Sequence, residues 1–142
     1  MKNILIIGST GQIGSELTMK LREIYKDGNV VAGYIPGAEP KGILKESGPS
    51  AIVDITNAQQ IADVASQYHV DTIYNLAALL SAVAEAKPQL AWKIGLGGLF
   101  NVLEVAREKN CADIVDLARR VALCVESDCE GDFHLVTFDF DR

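Results

Sequence analysis

Gly8-Ser9-Thr10-Gly11-Gln12-Ile13-Gly14 is the stretch whose reading decides the fold. It follows an apolar run at residues 3–7 (NILII) and opens residues 12–25, where Ile13, Leu17, Leu21 and Ile24 recur at helical spacing. An apolar run ending in glycine suits a parallel strand buried on both faces. Each glycine then has its own task. The first permits a tight turn, the second removes a side chain where the backbone must approach a pyrophosphate, and the third lets helix and strand pack closely. The free N–H groups and partial positive charge of the helix start would face the anion. Gly8, Thr10, Gly11, Gln12, Ile13 and Gly14 are therefore candidate dinucleotide contacts. A plain glycine turn between two elements is the competing reading. Strand and helix flanking the motif on the correct sides favour the phosphate site.

Working outward, residues 29–34 (NVVAGY) read as a second strand and residues 35–49, rich in Gly and Pro, as a loop. Residues 51–54 read as a third strand. Thr56 is placed to cap a helix whose Ile61, Val64, Ala65 and Tyr68 share a face. Residues 72–76 (TIYNL) read as a fourth strand. Residues 88–109 read as one long helix with Leu99, Val102, Leu103 and Ala106 on one stripe. Strands alternating with helices predict parallel strands joined by right-handed crossovers. The expected fold is an α/β Rossmann-like three-layer sandwich with sheet order 3-2-1-4. Beyond residue 112 two readings stay open. Ile114, Leu117, Ala118, Val121 and Val125 fit a helix face, or Ile114 and Val115 begin a fifth strand. Residues 126–132 read as an acidic loop. Residues 135–140 (LVTFDF) read as a strand with Val136, Phe138 and Phe140 on one side.

The chain has 142 residues, 49% hydrophobic and 23% charged, which suits one globular domain and is too apolar for disorder. A net charge of −6 argues against a nucleic-acid surface. The apolar runs are too short for a transmembrane helix of ~20 residues or a signal-peptide core. Three cysteines, Cys111, Cys124 and Cys129, without a signal segment favour reduced thiols and a cytoplasmic location. Charge is unevenly placed: residues 1–112 carry net −1 and residues 113–142 net −5. The expected organisation is a dinucleotide-binding domain over 1–112 and a divergent acidic tail over 113–142 packed on it.

The glycine spacing, G-x-x-G-x-x-G, resembles that of the extended short-chain dehydrogenase/reductase superfamily. Further matches follow in order. Asp54-Ile55 ends the third strand, where the family sets an acidic residue against the adenine ring. Asn75-Leu76-Ala77-Ala78 ends the fourth, where small residues let the cofactor lie along the chain. Ala77-Ala78-Leu79-Leu80-Ser81-Ala82-Val83, Pro88, Ala91-Trp92 and Gly98-Leu99-Phe100-Asn101-Val102-Leu103-Glu104 are similar to the L-threonine 3-dehydrogenase family in particular. The resemblance covers residues 2–112. It implies NAD as cofactor, with Gly8, Asp54, Ile55, Leu76, Ala77 and Ala78 among its contacts and Ser81 at the substrate. A helix-cap or loop role for Ser81 competes equally. It also implies hydride transfer from the carbon bearing the threonine hydroxyl, with tyrosine as base. That tyrosine needs a nearby lysine, because its unperturbed pKa is about 10. Pairing of the long helix with its copy in a homodimer is implied as well.

The departures are specific. The family's catalytic tyrosine and lysine lie four residues apart, yet Tyr25, Tyr34, Tyr68 and Tyr74 are followed four on by Asn29, Ala38, Thr72 and Ala78. Residues 113–120 (DIVDLARR) stand where the family has its fifth strand and then its catalytic Ser or Thr. Gly95 stands in place of a supporting asparagine. The expectation is a truncated family domain carrying an unrelated tail, engineered or frame-shifted, without catalytic residues. An amino-acid substrate then belongs only to the full-length family. A non-enzymatic nucleotide-binding or interaction module, such as an engineered chimera on a half-Rossmann scaffold, is the alternative. At the end of the second strand, where Rossmann domains place a carboxylate for the ribose 2′-OH, stands Tyr34, with Glu39 and Lys41 further along. The choice of NAD over NADP therefore rests on the resemblance.

Weaker constellations are outweighed. Cys124, Cys129 and His134 with Cys111 lack a familiar zinc spacing. Glu126, Asp128, Glu130 and Gly131 resemble a calcium loop, but Thr137 holds the place of its bidentate glutamate. No metal is expected. His69 reads as a surface or capping residue and Trp92 as core or interface.

Overall fold

The computed structural model describes residues 2–26, 28–79, 81–116 and 136–139. The first four strands are β1 (Ile4–Ile7), β2 (Val30–Tyr34), β3 (Ser50–Ile52) and β4 (Thr72–Asn75), followed by β5 (Asp113–Asp116) and β6 (Val136–Asp139). They form a six-stranded sheet in the order β3-β2-β1-β4-β5-β6. All pairings are parallel except β5 with β6. The expected 3-2-1-4 order holds, and the sheet continues beyond it. One row of the register runs Gly33, Ile7, Asn75, Asp116 across four strands and marks the C-terminal edge of the sheet.

Alternation along β1 sends Leu5 and Ile7 to one face and Ile4 and Ile6 to the other. The first face packs against Ile61, Val64 and Ala65 of α3 (Ala58–Gln67) and Val102, Val105 and Ala106 of α6 (Gly98–Lys109). The second packs against Leu21 of α1 (Gln12–Ile24). Helices on both faces of a parallel sheet give the three layers, because such strands are buried on both sides.

Several local expectations are corrected. On α1, Ile13 is 63% and Ile24 57% exposed, while Gly14, Thr18 and Leu21 are buried. Gly14 pins the helix start to the glycine turn and so rotates this line onto the sheet. Thr18 tolerates burial because its hydroxyl donates to the Gly14 carbonyl at 2.6 Å. Asn57, not Thr56, caps α3: its Oδ1 accepts the Gln60 N–H at 3.2 Å, one turn into the helix. The loop over 35–49 contains a short helix, α2 (Ile43–Glu46), and α4 (Ser81–Ala86) is a helix the periodicity did not announce. The long helix over 88–109 is present. A π segment (Lys93–Gly97) divides it into α5 (Pro88–Trp92) and α6, with right-handed helical dihedrals through the junctions. Residues 113–116, which stand where the family has its fifth strand, form β5 beside β4, so the fifth-strand reading holds there. Leu117, Ala118, Val121, Val125, Cys124, Cys129, His134 and the acidic loop at 126–132 lie outside the described residues.

Candidate functional site

Gly8 leaves β1 with φ +83°, in the left-handed region. A Cβ there would stand 3.1 Å from the Ala77 nitrogen and the Leu76 carbonyl carbon. The turn is tied to β2 through one acceptor. The Gly33 carbonyl receives the Gly8 N–H (3.2 Å), the Ser9 N–H (3.1 Å) and the buried Ser9 hydroxyl (2.9 Å). At Gly14 a Cβ would fall 2.2 Å from the Gly8 oxygen and 2.8 Å from the Ser9 Cα, so only glycine lets α1 sit this close. Gly11 differs. Its backbone is extended (φ −71°, ψ 171°), and a Cβ would meet nothing nearer than the Gly8 oxygen at 3.5 Å. Internal packing thus requires glycine at 8 and 14 and leaves 11 open.

A cleft of about 610 Å³ opens at the C-terminal ends of β1 to β4, walled on one side by α5 and the π segment. Gly8 and Thr10 line it from the glycine turn, and Leu76, Ala77 and Ala78 from the end of β4. Asp54 and Ile55 line it after β3. Asp54 is fixed there because its Oδ1 accepts the Thr56 N–H at 2.9 Å and the Thr56 hydroxyl at 2.8 Å. The end of β4 is held by Asn75, which is buried. Its Oδ1 accepts the Ala77 N–H (3.2 Å) and its Nδ2 donates to Asp116 (2.8 Å).

Of the sequence-derived residues, Gly11, Gln12, Ile13 and Gly14 stand apart from this lining. Gly14 is buried beneath the turn, and Gly11 caps α1. Gln12 and Ile13 instead border a shallow depression on the outer face of α1 with Glu16 and Lys20. Ser81 begins α4.

The cleft also recruits residues that periodicity did not mark: Ile35, Pro36 and Ala38 after β2, and Leu79, Leu90, Lys93 and Ile94 beyond β4. The available signal was positional, since ligands in open α/β sheets bind where the strand order reverses, outside the carboxyl ends. Tyr34 lines the wall at the end of β2. Glu39 does not line the cleft. It is exposed, and its carboxylate accepts the Gly37 N–H at 2.8 Å, which holds it below the usual carboxylate range. Lys93 is the one cation on the lining among the described residues. Among these residues no cluster of His, Cys, Asp or Glu could hold a metal, and no helix is long and apolar enough to cross a membrane.

A parallel sheet of order 3-2-1-4-5 with a glycine turn at the reversal between β1 and β4 defines a Rossmann-type α/β domain. Residues 4–119 match the NAD dependent epimerase/dehydratase family, and the chain belongs to it. An uncharacterized epimerase/dehydratase of Staphylococcus epidermidis is 46% identical over 107 residues, 75% of this chain and 33% of that protein. The chain thus spans about a third of the length of the curated relatives it matches. Among solved structures, L-threonine dehydrogenase from Clostridium difficile superposes with a TM-score of 0.71 at 47% identity, over 82% of this chain and 36% of that one. The holo GalE-like L-threonine dehydrogenase from Cupriavidus necator gives 0.69 at 35%, over 77% and 34%. UDP-glucose-4-epimerase from Stenotrophomonas maltophila with bound NAD gives 0.71 at 18% over 82% and 36%, a likeness of fold alone.

Proposed function

We propose that this chain is the NAD-binding portion of an L-threonine 3-dehydrogenase-like oxidoreductase and that its residues do not by themselves complete the catalytic set. The single observation that carries the reading is the contrast within the glycine turn. Gly8 and Gly14 answer to the protein's own backbone, whereas Gly11, next in the chain to the cleft-lining Thr10, is open and leads a helix start. A bound pyrophosphate accounts for the remaining glycine, Gly11. Asp54 is positioned to accept from the adenine amino group, and Ala77 and Ala78 leave room along β4. The bound dinucleotide would supply the hydride acceptor. The chain supplies binding and orientation, and its tyrosines lack a lysine four residues on to lower a phenol pKa. We place residues 1–112 as the dinucleotide-binding part. The acidic segment 113–142 packs on the same domain, a reading supported by β5 and β6 extending the one sheet. Ser81, at the start of α4, is assigned to the substrate side. A cytoplasmic location follows from the cysteine usage. Trp92, Leu96 and Phe100, exposed at four-residue steps along α5, the π segment and α6, support self-association through this face.

Calorimetry with NAD on the chain and on Gly11→Val tests the reading. NAD binding that the branched side chain abolishes is expected, and equal affinity in the two would rule out the turn as the phosphate site. In a coupled assay with threonine and NAD, turnover no greater than that of Gly11→Val is expected. The missing Tyr-x-x-x-Lys pair also favours a second reading, a nucleotide-binding or interaction module without chemistry. Absence of binding to NAD, NADP and ADP alike would select the interaction use.

A further inference from the structure

We propose that Tyr34 sets the cofactor selectivity of this cleft and leaves it unable to reject a 2′-phosphate, so that the chain accepts NADP as well as NAD; this rests on the dinucleotide reading above. Residue 34 lies 20 positions after the third glycine of the turn and ends β2. That is the place from which a Rossmann domain presents a carboxylate to the ribose 2′-OH. Its backbone has little freedom. The preceding carbonyl, of Gly33, receives three donors from the glycine turn, and the Tyr34 carbonyl accepts the Val53 N–H at 2.8 Å. The half-buried side chain lines the cleft, so a phenol stands where the acid would stand.

Among the described residues no other carboxylate takes over that place. After Tyr34 the chain turns sharply, with the Ala38 N–H donating to the Ile35 carbonyl at 3.0 Å and Gly37 at φ +88°. Pro36 and Gly37 at the two central positions suit a type II turn. This turn presents Ile35, Pro36 and Ala38 to the cleft, while the Glu39 carboxylate is spent on the Gly37 N–H. Asp54 follows β3, one strand further from β1, and two donors of Thr56 share its Oδ1.

A ribose-binding carboxylate favours NAD in two ways. It accepts from both hydroxyls, and it repels a 2′-phosphate at close range, where juxtaposed like charges cost several-fold to many-fold in affinity. A phenol keeps the first capacity in part, since its oxygen accepts and its hydrogen donates. It lacks the second entirely. Lys41, exposed in the same connection, adds no repulsion.

Titration of the full chain with NAD and with NADP, read by calorimetry, tests this. The expected dissociation constants lie within about tenfold of each other. Tyr34→Asp is expected to weaken NADP at least tenfold relative to NAD. Tyr34→Phe, which keeps the bulk and the neutral charge, is expected to retain the near-equal ratio. Glu39→Gln is likewise expected to leave it unchanged. NAD binding with NADP weaker by more than about tenfold overturns the proposal and leaves the dinucleotide reading standing. So does a ratio that Glu39→Gln alters or that Tyr34→Asp leaves unchanged. Failure of both nucleotides to bind overturns the dinucleotide reading itself.

Discussion

Alanine at Gly14 and at Gly11, three residues apart in one turn, should produce opposite results. At position 14 the new Cβ would lie 2.2 Å from the Gly8 oxygen and 2.8 Å from the Ser9 Cα, both backbone atoms. An ordinary contact needs more than 3.4 Å, so α1 must withdraw by over an ångström from the end of β1. Overpacking of that kind typically costs about 1–3 kcal/mol or more. Alanine's better helix propensity returns about 0.5–1 kcal/mol of it. Because both clashing atoms are backbone, the upper end of that cost applies, and the net loss of about 2 kcal/mol lowers the melting temperature of a chain this size by roughly 6 °C. At position 11 the backbone is already extended and the nearest atom is 3.5 Å away. Alanine there loses some capping preference and gains about as much from a less flexible unfolded chain, so stability should stay within ~1 kcal/mol of the parent. NAD affinity should nevertheless fall by at least about tenfold, because the methyl group occupies space reserved for a phosphate. Thermal unfolding and calorimetry read the two effects separately. If Gly11→Ala binds NAD like the parent, or unfolds as early as Gly14→Ala, the division of labour among the glycines is wrong.

Arg22 fans into four acceptors: the carbonyls of Val30 (3.1 Å), Leu44 (2.6 Å) and Pro49 (2.6 Å) and the Ser47 hydroxyl (2.8 Å). Arg22→Ala should cost about 2–3 kcal/mol in urea unfolding, and Arg22→Lys should recover little, since an ammonium cannot span the fan. Cys111 is buried with its thiol donating to the Val70 carbonyl at 3.3 Å, and burial pushes its pKa up to about 11. Peptide mapping after alkylation at mildly alkaline pH should find Cys111 unmodified in the folded chain. Because the folded pKa is raised, its contribution is intact below about 9 and is lost as pH climbs toward 11. Cys111→Ala should flatten that part of the pH profile of stability. Sedimentation velocity should detect self-association of the parent chain that Phe100→Glu abolishes. Unchanged association in the variant would remove the Trp92, Leu96 and Phe100 face from consideration.

Much of the architecture is written in local pattern. The glycine turn after NILII, the strand–helix alternation and the Pro88 start of the long helix are all readable from residue spacing. Backbone conformation and hydrophobic periodicity act over neighbouring residues, so a single sequence carries them. Boundaries were less legible where periodicity was short. Residues 113–116 fit a helix face or a strand equally well, and the choice depended on β4 offering an open edge. The cap of α3 moved from Thr56 to Asn57 because Asp54 had already engaged the Thr56 hydroxyl. Ile13 and Ile24 share the helical spacing of Leu17 and Leu21, yet they are exposed because contact at Gly14 fixes the rotation of α1.

The sequence alone determined that a glycine-rich turn joins a buried strand to a helix, that strands alternate with helices, and that no Tyr-x-x-x-Lys pair is present. Tertiary structure alone decided which of those glycines the protein itself demands. It also decided that Tyr34, Asp54, Ala77 and Lys93, far apart in the chain, border one cleft. Local sequence fixes the dihedrals of a turn, whereas the free space beside it depends on strands that arrive 20 to 70 residues later.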